Sequence, residues 1–209
     1  MIIDMHLHTS AMSSCSKLDP EEAVRYANEI GIDAICFTEH GRLWPESDLE
    51  RLSVKWGIPV FGGMEVETRE GHMLVFGLSE DIPGVIPASE LRDMVDQAGG
   101  VMVYAHPFRG FLLFGFTDLQ LTIKEASGRP LFKMVDAVEV LSGKSTKKEN
   151  NLALEVCNIV SLPGLGGSDA HSPGEIGRCA TVFDTQIGNT KELVEAMKTG
   201  SYRAVYHGK

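Results

Sequence analysis

Short apolar runs of strand length recur along the chain at residues 2–3, 32–37, 60–66, 73–77, 101–105, 137–141, 162–167 and 180–183. Most lack the apolar–polar alternation of a half-buried strand and read as strands covered on both faces. Helical patterns lie between them. The clearest follows Asp19, with Pro20 at the first helical position, Glu21 and Glu22 in the first turn and Gly31 as the stop, which predicts a helix over 20–30. Leu91, Met94, Val95 and Ala98 fall on one helix face behind a cap at Ser89 and end at Gly99-Gly100. Further helices are expected over 45–56, 147–160 and 190–198, the last capped by Thr190 and stopped by Gly200. Buried strands alternating with helices imply a parallel sheet, either open and doubly wound or closed into a barrel.

The placement of polar residues favours the barrel. His6 and His8 follow the first run, Thr38-Glu39-His40 the second, His106 the run at 101–105 and Asp169 the run at 162–167. Chemistry therefore collects at the strands' C-terminal ends, where the loops of such barrels converge on one mouth. A length of 209 residues suits one large domain over 1–209 and is short for two. With 43% hydrophobic and 23% charged residues the chain can pack a core.

Composition also narrows the function classes. A net charge of -10 argues against a general nucleic-acid surface and stable duplex binding, although clustered divalent cations would offset it locally. The opening residues lack a basic stretch followed by a long apolar one, and eighteen apolar residues nowhere run together, so secretion and membrane spanning are not expected. Cys15, Cys36, Cys157 and Cys179 are scattered without a Cys-x-x-Cys pair, which fits reduced thiols in a cytoplasm. Neither a Gly-x-Ser-x-Gly segment nor a phosphate-binding P-loop is present, which disfavours covalent and nucleotide-driven chemistry.

Six of the seven histidines, His6, His8, His40, His72, His106 and His171, sit at or just beyond apolar runs, accompanied by Glu39, Glu65 and Asp169. One such histidine is usually a hydrogen-bonded structural residue, but the joint pattern points to a multinuclear metal site. Imidazole with carboxylate suits zinc, manganese or iron. In Asp4-Met5-His6-Leu7-His8 the i, i+2 spacing on a strand sends both imidazoles to one side, and Asp4 is placed to orient His6.

Asp4-Met5-His6-Leu7-His8-Thr9, Thr38-Glu39-His40, Gly63-Met64-Glu65, His72, Ala105-His106-Pro107 and Gly167-Ser168-Asp169-Ala170-His171-Ser172 together resemble the PHP family, named for polymerase and histidinol phosphatase. The motifs occur in family order across most of the chain. The resemblance implies an α/β fold, a distorted TIM-like (β/α)7 barrel, and two or three divalent ions of zinc, manganese or iron. It makes His6, His8, Glu65 and Asp169 the ligands of a first metal, with Glu65 bridging to a second held by His72 and His106. A third would use His40 and His171 with a His or Asp from the segment after His-x-His. That segment here reads Ser13-Ser14-Cys15-Ser16, so Cys15 is the nearest replacement and the third ion stays open.

The activity implied is hydrolysis of a phosphate ester by a metal-bridging hydroxide, with Asp169, His171, Glu65, Arg109 and Arg178 in the catalytic set. Arg109 and Arg178 would hold the phosphate, with Arg42 and Lys144 ranked lower, and His171 or a bound water would protonate the alcohol. Glu39 reads as support for the metals or a water, and Glu67 as second choice to Glu65 for the bridge. Phe108, Phe111, Phe114 and Phe116 could wall the site, with core packing or a dimer contact the stronger reading. A small phosphomonoester leads as substrate, ahead of a short oligonucleotide. Histidinol phosphatase, a catalytically weak metal-binding accessory module and amidohydrolase-type hydrolysis are the competing readings.

Overall fold

The computed structural model describes residues 1–110 and 123–207. Among these, nine strands form one sheet: β1 (Ile2–Leu7), β2 (Ala34–His40), β3 (Val60–Thr68), β4 (Gly71–Phe76), β5 (Val101–Tyr104), β6 (Ala137–Ser142), β7 (Gly164–Gly167), β8 (Cys179–Phe183) and β9 (Tyr202–Tyr206). Their order is β7-β6-β5-β4-β3-β2-β1-β8-β9. The helices are α1 (Pro20–Glu29), α2 (Glu46–Trp56), α3 (Ala88–Ala98), α4 (Ile123–Ser127), α5 (Lys147–Val160) and α6 (Thr190–Thr199). Among the described residues no helix is long and apolar enough to cross a membrane.

The sheet is mixed, which corrects the parallel arrangement expected from sequence. β1, β2 and β3 run parallel, as do β5, β6 and β7, but β4 is inverted between them and β8 and β9 run antiparallel at the far side. β3 and β4 are joined by Arg69 and Glu70 alone, a link too short for the crossover that parallel strands need. The closing strand β9 carries no strong apolar run and escaped the sequence reading.

The sheet curls until β7 meets β1 and β8. Thr181 Oγ1 accepts from Gly166 N and donates to Gly166 O, both at 2.9 Å. A Cβ on Gly166 would lie 2.6 Å from the Ala180 carbonyl oxygen, and one on Gly167 2.5 Å from His6 Cβ, so only glycine lets the strand approach this closely. The result is a distorted, nearly closed barrel.

Helix α1 begins as read, with Asp19 Oδ1 accepting from Glu21 N and Glu22 N at 2.9 and 3.0 Å. Two other caps differ. Ser89 lies inside α3, which starts at Ala88 and donates the Ala88 N–H to Glu70 Oε2 from the β3–β4 turn at 2.8 Å. α6 is capped by Asn189, which accepts from Glu192 N, while Thr190 Oγ1 instead accepts from Gly62 N at 3.3 Å. Both residue types cap well, and the contact with β3 decides between them.

Inside the barrel, Ile3, Met5, Ala34, Cys36, Phe61, Leu74, Phe76, Val101, Val103, Ala137 and Leu165 form one apolar cluster, closed at one end by Leu193, Val194 and Met197 of α6. The period of two along each strand then fixes what faces inward next. Glu65 continues the Phe61 face of β3, His72 the Leu74 face of inverted β4, and Glu139 the Ala137 face of β6. β1 needs a device to do the same. Ile3 and Met5 pack in the interior cluster but Leu7 packs with α1 and α2, and the pairing with β2 shifts register between Asp4 and Leu7. This bulge changes the strand's phase, so His6 and His8 face the mouth.

Candidate metal centre

The Nε2 atoms of His6 and His8 converge to 3.1 Å, as the i, i+2 spacing led one to expect. Asp169 Oδ1 faces them at 3.7 and 3.3 Å. Glu65 lies between two sets of imidazoles. Its Oε1 is 2.8 Å from His72 Nδ1 and 2.9 Å from His106 Nε2, while its Oε2 is 3.2 Å from His8 Nε2, 3.6 Å from His6 Nε2 and 3.2 Å from His40 Nδ1. Among the described residues four groups of donor atoms result: His6, His8 and Asp169; Glu65, His72 and His106; His8, His40 and His171; and His6, His106 and Glu139. Among the described residues Cys15 Sγ lies 3.4 Å from His40 Nε2 and joins none of these groups.

Two of these residues hold unusual backbone. His106 has φ 27° and Asp169 φ 53°, in or near the left-handed region that glycine favours. Such conformations cost on the order of 1–3 kcal/mol each and persist where surrounding contacts enforce them. For Asp169 the enforcement comes from the next residue, Ala170, whose carbonyl accepts from His8 N at 3.0 Å and whose N–H donates to His6 O at 3.4 Å.

Ring orientation follows from the other nitrogens. His6 Nδ1 is 3.0 Å from Glu139 Oε1, and a carboxylate there accepts the Nδ1 proton, leaving Nε2 to face the centre. His171 Nδ1 donates to the Asp169 carbonyl at 2.9 Å, which likewise turns its Nε2 lone pair outward. Asp4 does not orient the His6 ring as expected. Its carboxylate accepts from three backbone N–H groups, His6 at 3.3 Å, Ser168 at 2.8 Å and Gly177 at 2.9 Å, and so ties three chain segments together. Burial outweighs those bonds and pushes its carboxyl up to about 6.

The field around Glu65, Asp169 and His6 favours positive charge, whereas burial and the neighbouring His8 hold His40 and His171 below the usual imidazole range. Burial works against ionised Glu65 and Asp169, yet the neighbouring histidines, with Arg109 beside Asp169, more than offset it and hold both carboxyls below the ordinary range. Burial works against a charged His6, and Asp169, Glu139 and Glu65 outweigh it, raising the ring's pKa well above its usual value. Among the described residues, two buried polar atoms of the site, Asp169 Oδ1 and His8 Nδ1, have no hydrogen-bond partner. Convergent imidazoles, a shared carboxylate and an orphaned carboxylate oxygen are what borderline divalent cations bind, so the donor set fits them.

The structure divides the remaining sequence candidates. Arg109 is brought in, its Nη2 donating to Asp169 Oδ2 and, at 3.1 Å, to Ser142 Oγ. Arg178 is not: it is exposed beside β8, and among the described residues no hydrogen bond or ion pair joins its side chain to these groups. Arg42 is exposed. Lys144 pairs with Glu175, whose Oε2 accepts from His171 N at 2.9 Å. Glu39 is fully buried and accepts from Thr9 N, Ser13 Oγ and Trp44 Nε1, so it anchors the loop that carries Cys15. Burial, with Asp169, Glu39 and Glu65 nearby, raises the Cys15 thiol above its usual pKa.

Glu67 sits opposite His72 across the β3–β4 pair, exposed at the rim of a 250 Å³ cleft that His40, Glu65 and His72 also line. Phe108 packs in the core with Phe132, while Phe111, Phe114 and Phe116 lie outside the described residues. The sequence reading missed Glu139. Its signal was present: a carboxylate within a strand read as covered on both faces must find a partner.

The sequence family described as PHP domain matches residues 4–158, and one described as PHP-associated matches residues 147–202. An uncharacterized protein of Methanocaldococcus jannaschii is 30% identical over 190 residues, covering 88% of this chain and 70% of that one. In fold, the chain resembles a two-domain protein from Bacteroides vulgatus containing a predicted PHP-like metal-dependent phosphoesterase. The TM-score is 0.69 at 22% identity, over 99% of this chain and 65% of that one. It also resembles a lesion-specific endonuclease, EndoQ, from Pyrococcus furiosus, with TM-score 0.58 at 21% identity over 98% of this chain and 58% of that one.

Proposed function

The chain belongs to the PHP domain family, and from that premise we propose that it is a metal-dependent phosphoesterase acting on a small phosphomonoester or a short oligonucleotide. The observation that carries this reading is Glu65, whose two oxygens face two separate donor groups. His6, His8 and Asp169 would hold one divalent ion and His72 and His106 the other, with Glu65 common to both. Bound zinc, manganese or iron would supply Lewis acidity toward a phosphoryl oxygen and lower the pKa of a water toward neutrality.

The chain's own groups do the rest. Arg109 stands beside Asp169 with its side chain 32% exposed, and its other N–H groups suit non-bridging phosphate oxygens. His171 gives its Nδ1 proton to a backbone carbonyl, so its Nε2 acts as an acceptor or ligand. That weighs against His171 as proton donor to the leaving alcohol. Arg178, exposed beside β8 and without a contact to these groups among the described residues, has no phosphate role in this reading. His8, His40 and His171 form a third group without Cys15, whose Sγ lies beside His40, and this reading assigns two ions to the centre and leaves the third open.

The likeness in fold to an endonuclease keeps short oligonucleotides beside phosphomonoesters as substrates to test. The four free thiols suit a reducing, cytoplasmic compartment. Chelator-stripped protein should be inert toward a generic aryl phosphate and a dinucleotide, and manganese, zinc or iron should restore turnover of at least one. Metal binding without turnover of either would favour the accessory-module reading, for which the altered Cys15 segment is the supporting feature.

A further inference from the structure

A carboxylate in the middle of a buried strand is costly unless its oxygens meet donors. Glu139, 1% exposed on β6, meets two, and they belong to different parts of the centre. Oε1 accepts from His6 Nδ1 at 3.0 Å and Oε2 accepts from the His106 backbone N–H at 2.8 Å. His6 belongs to the group with His8 and Asp169, and His106 to the group with Glu65 and His72.

We propose that Glu139 is the positioning residue that sets both donor groups at once. One oxygen locks the His6 ring with Nε2 toward the centre. The other pins the His106 backbone at its unusual φ of 27°, the conformation from which His106 Nε2 reaches Glu65 at 2.9 Å. The inference rests on the reading of these groups as cation sites.

The packing leaves deliberate room for the pair. A Cβ at Gly167 would lie 2.5 Å from His6 Cβ and 3.0 Å from Glu139 Oε1, so β7 is glycine where the carboxylate and ring meet. Glu139 could itself be taken for a ligand, because its oxygens and those histidines cluster closely enough. However, Oε1 faces the His6 nitrogen that points away from the centre, and Oε2 is taken by a backbone N–H, so both are already engaged.

Glutamine at this position has the same shape but the wrong chemistry. Glutamate presents an acceptor to each partner, whereas glutamine has one acceptor and an NH2. If its oxygen takes the His106 N–H, its NH2 faces His6 Nδ1 and forces the proton onto Nε2. If its oxygen takes His6, its NH2 confronts the His106 N–H.

Two measurements test this. Long-range nitrogen–proton correlation spectra of the metal-free full chain should show a slowly exchanging, downfield proton on His6 Nδ1; in Glu139→Gln it should be lost where the amide oxygen takes the His106 N–H, and kept only where the amide NH2 is turned against that N–H. Titration calorimetry with zinc and manganese should show Glu139→Gln weakening both bound ions about ten- to hundredfold. The metal-free variant should still unfold cooperatively.

Unchanged affinity for both ions would overturn the proposal. So would a wild-type His6 without a proton on Nδ1, because Glu139 Oε1 would then donate and could not lock the ring as an acceptor. If the wild type bound neither metal, the phosphoesterase reading would fail by itself, and the Nδ1 proton would still decide whether Glu139 holds the ring. If Glu139→Gln did not fold, the wild-type spectrum alone would decide.

Discussion

The lower and upper layers of the barrel interior are built by the same strands and differ only in residue type. Phe61 and Glu65 share a face of β3, Leu74 and His72 a face of β4, and Ala137 and Glu139 a face of β6. Below, apolar side chains interlock and α6 closes the end. Above, imidazoles and carboxylates face one another across the mouth. The lower layer is thus a scaffold whose worth is stability. The upper layer invests conformational strain at His106 and Asp169 in holding donor atoms together, a cost the lower layer offsets.

The largest expected effect separates the layers outright. Phe61→Ala should cost about 3–5 kcal/mol in urea unfolding, because it opens a cavity in a fully buried cluster. Turnover per folded molecule should survive. Loss of turnover at full stability would erase the distinction between layers.

Next, Glu65→Gln should leave a folded chain whose phosphate-ester turnover falls about 10²–10³-fold, or about 2.7–4 kcal/mol. Calorimetry should show one ion or none where the wild type takes two. Retention of both ions would break the account of Glu65 as the shared group.

Arg109→Ala should raise KM about tenfold, or about 1.4 kcal/mol, with a smaller change in kcat. Arg178→Ala should do nothing measurable, since that side chain is exposed beside β8. Equal effects from the two would return Arg178 to the site.

The smallest effect is expected at the third group. Cys15→Ala should lower turnover by less than about threefold, under about 0.7 kcal/mol, and leave two ions bound. Cys15→His should raise the count to three, read by elemental analysis of the desalted protein. Three ions in the wild type falling to two in Cys15→Ala would show the thiol to be a ligand.

Much of the upper layer was legible because its residues are chemically unusual for strand ends: His6, His8, His40, His72, His106 and His171 could be found without knowing how the strands pair. What was not legible depended on contacts distant in sequence. No sequence pattern near Leu7 announces the bulge that turns His6 and His8 to the mouth, since it arises from pairing with β2. The reversal of β4 turns on Arg69-Glu70, a pair without the usual glycine or asparagine turn signal, although Gly71 follows at φ 146°. Asn189 and Thr190 are equally good caps by type, and Gly62 chooses between them. Glu139 passed as part of an apolar run because its partners, His6 and His106, lie on two other strands' ends.

The central claim is that Glu65 joins two cation sites at the barrel mouth. Anomalous diffraction from crystals of the full chain grown with zinc, collected at the zinc edge, tests it most directly. The account expects two peaks flanking the Glu65 carboxylate, one within about 2.0–2.2 Å of His6, His8 and Asp169 donor atoms and the other of His72 and His106. A single peak away from Glu65, or none at these residues, would contradict it.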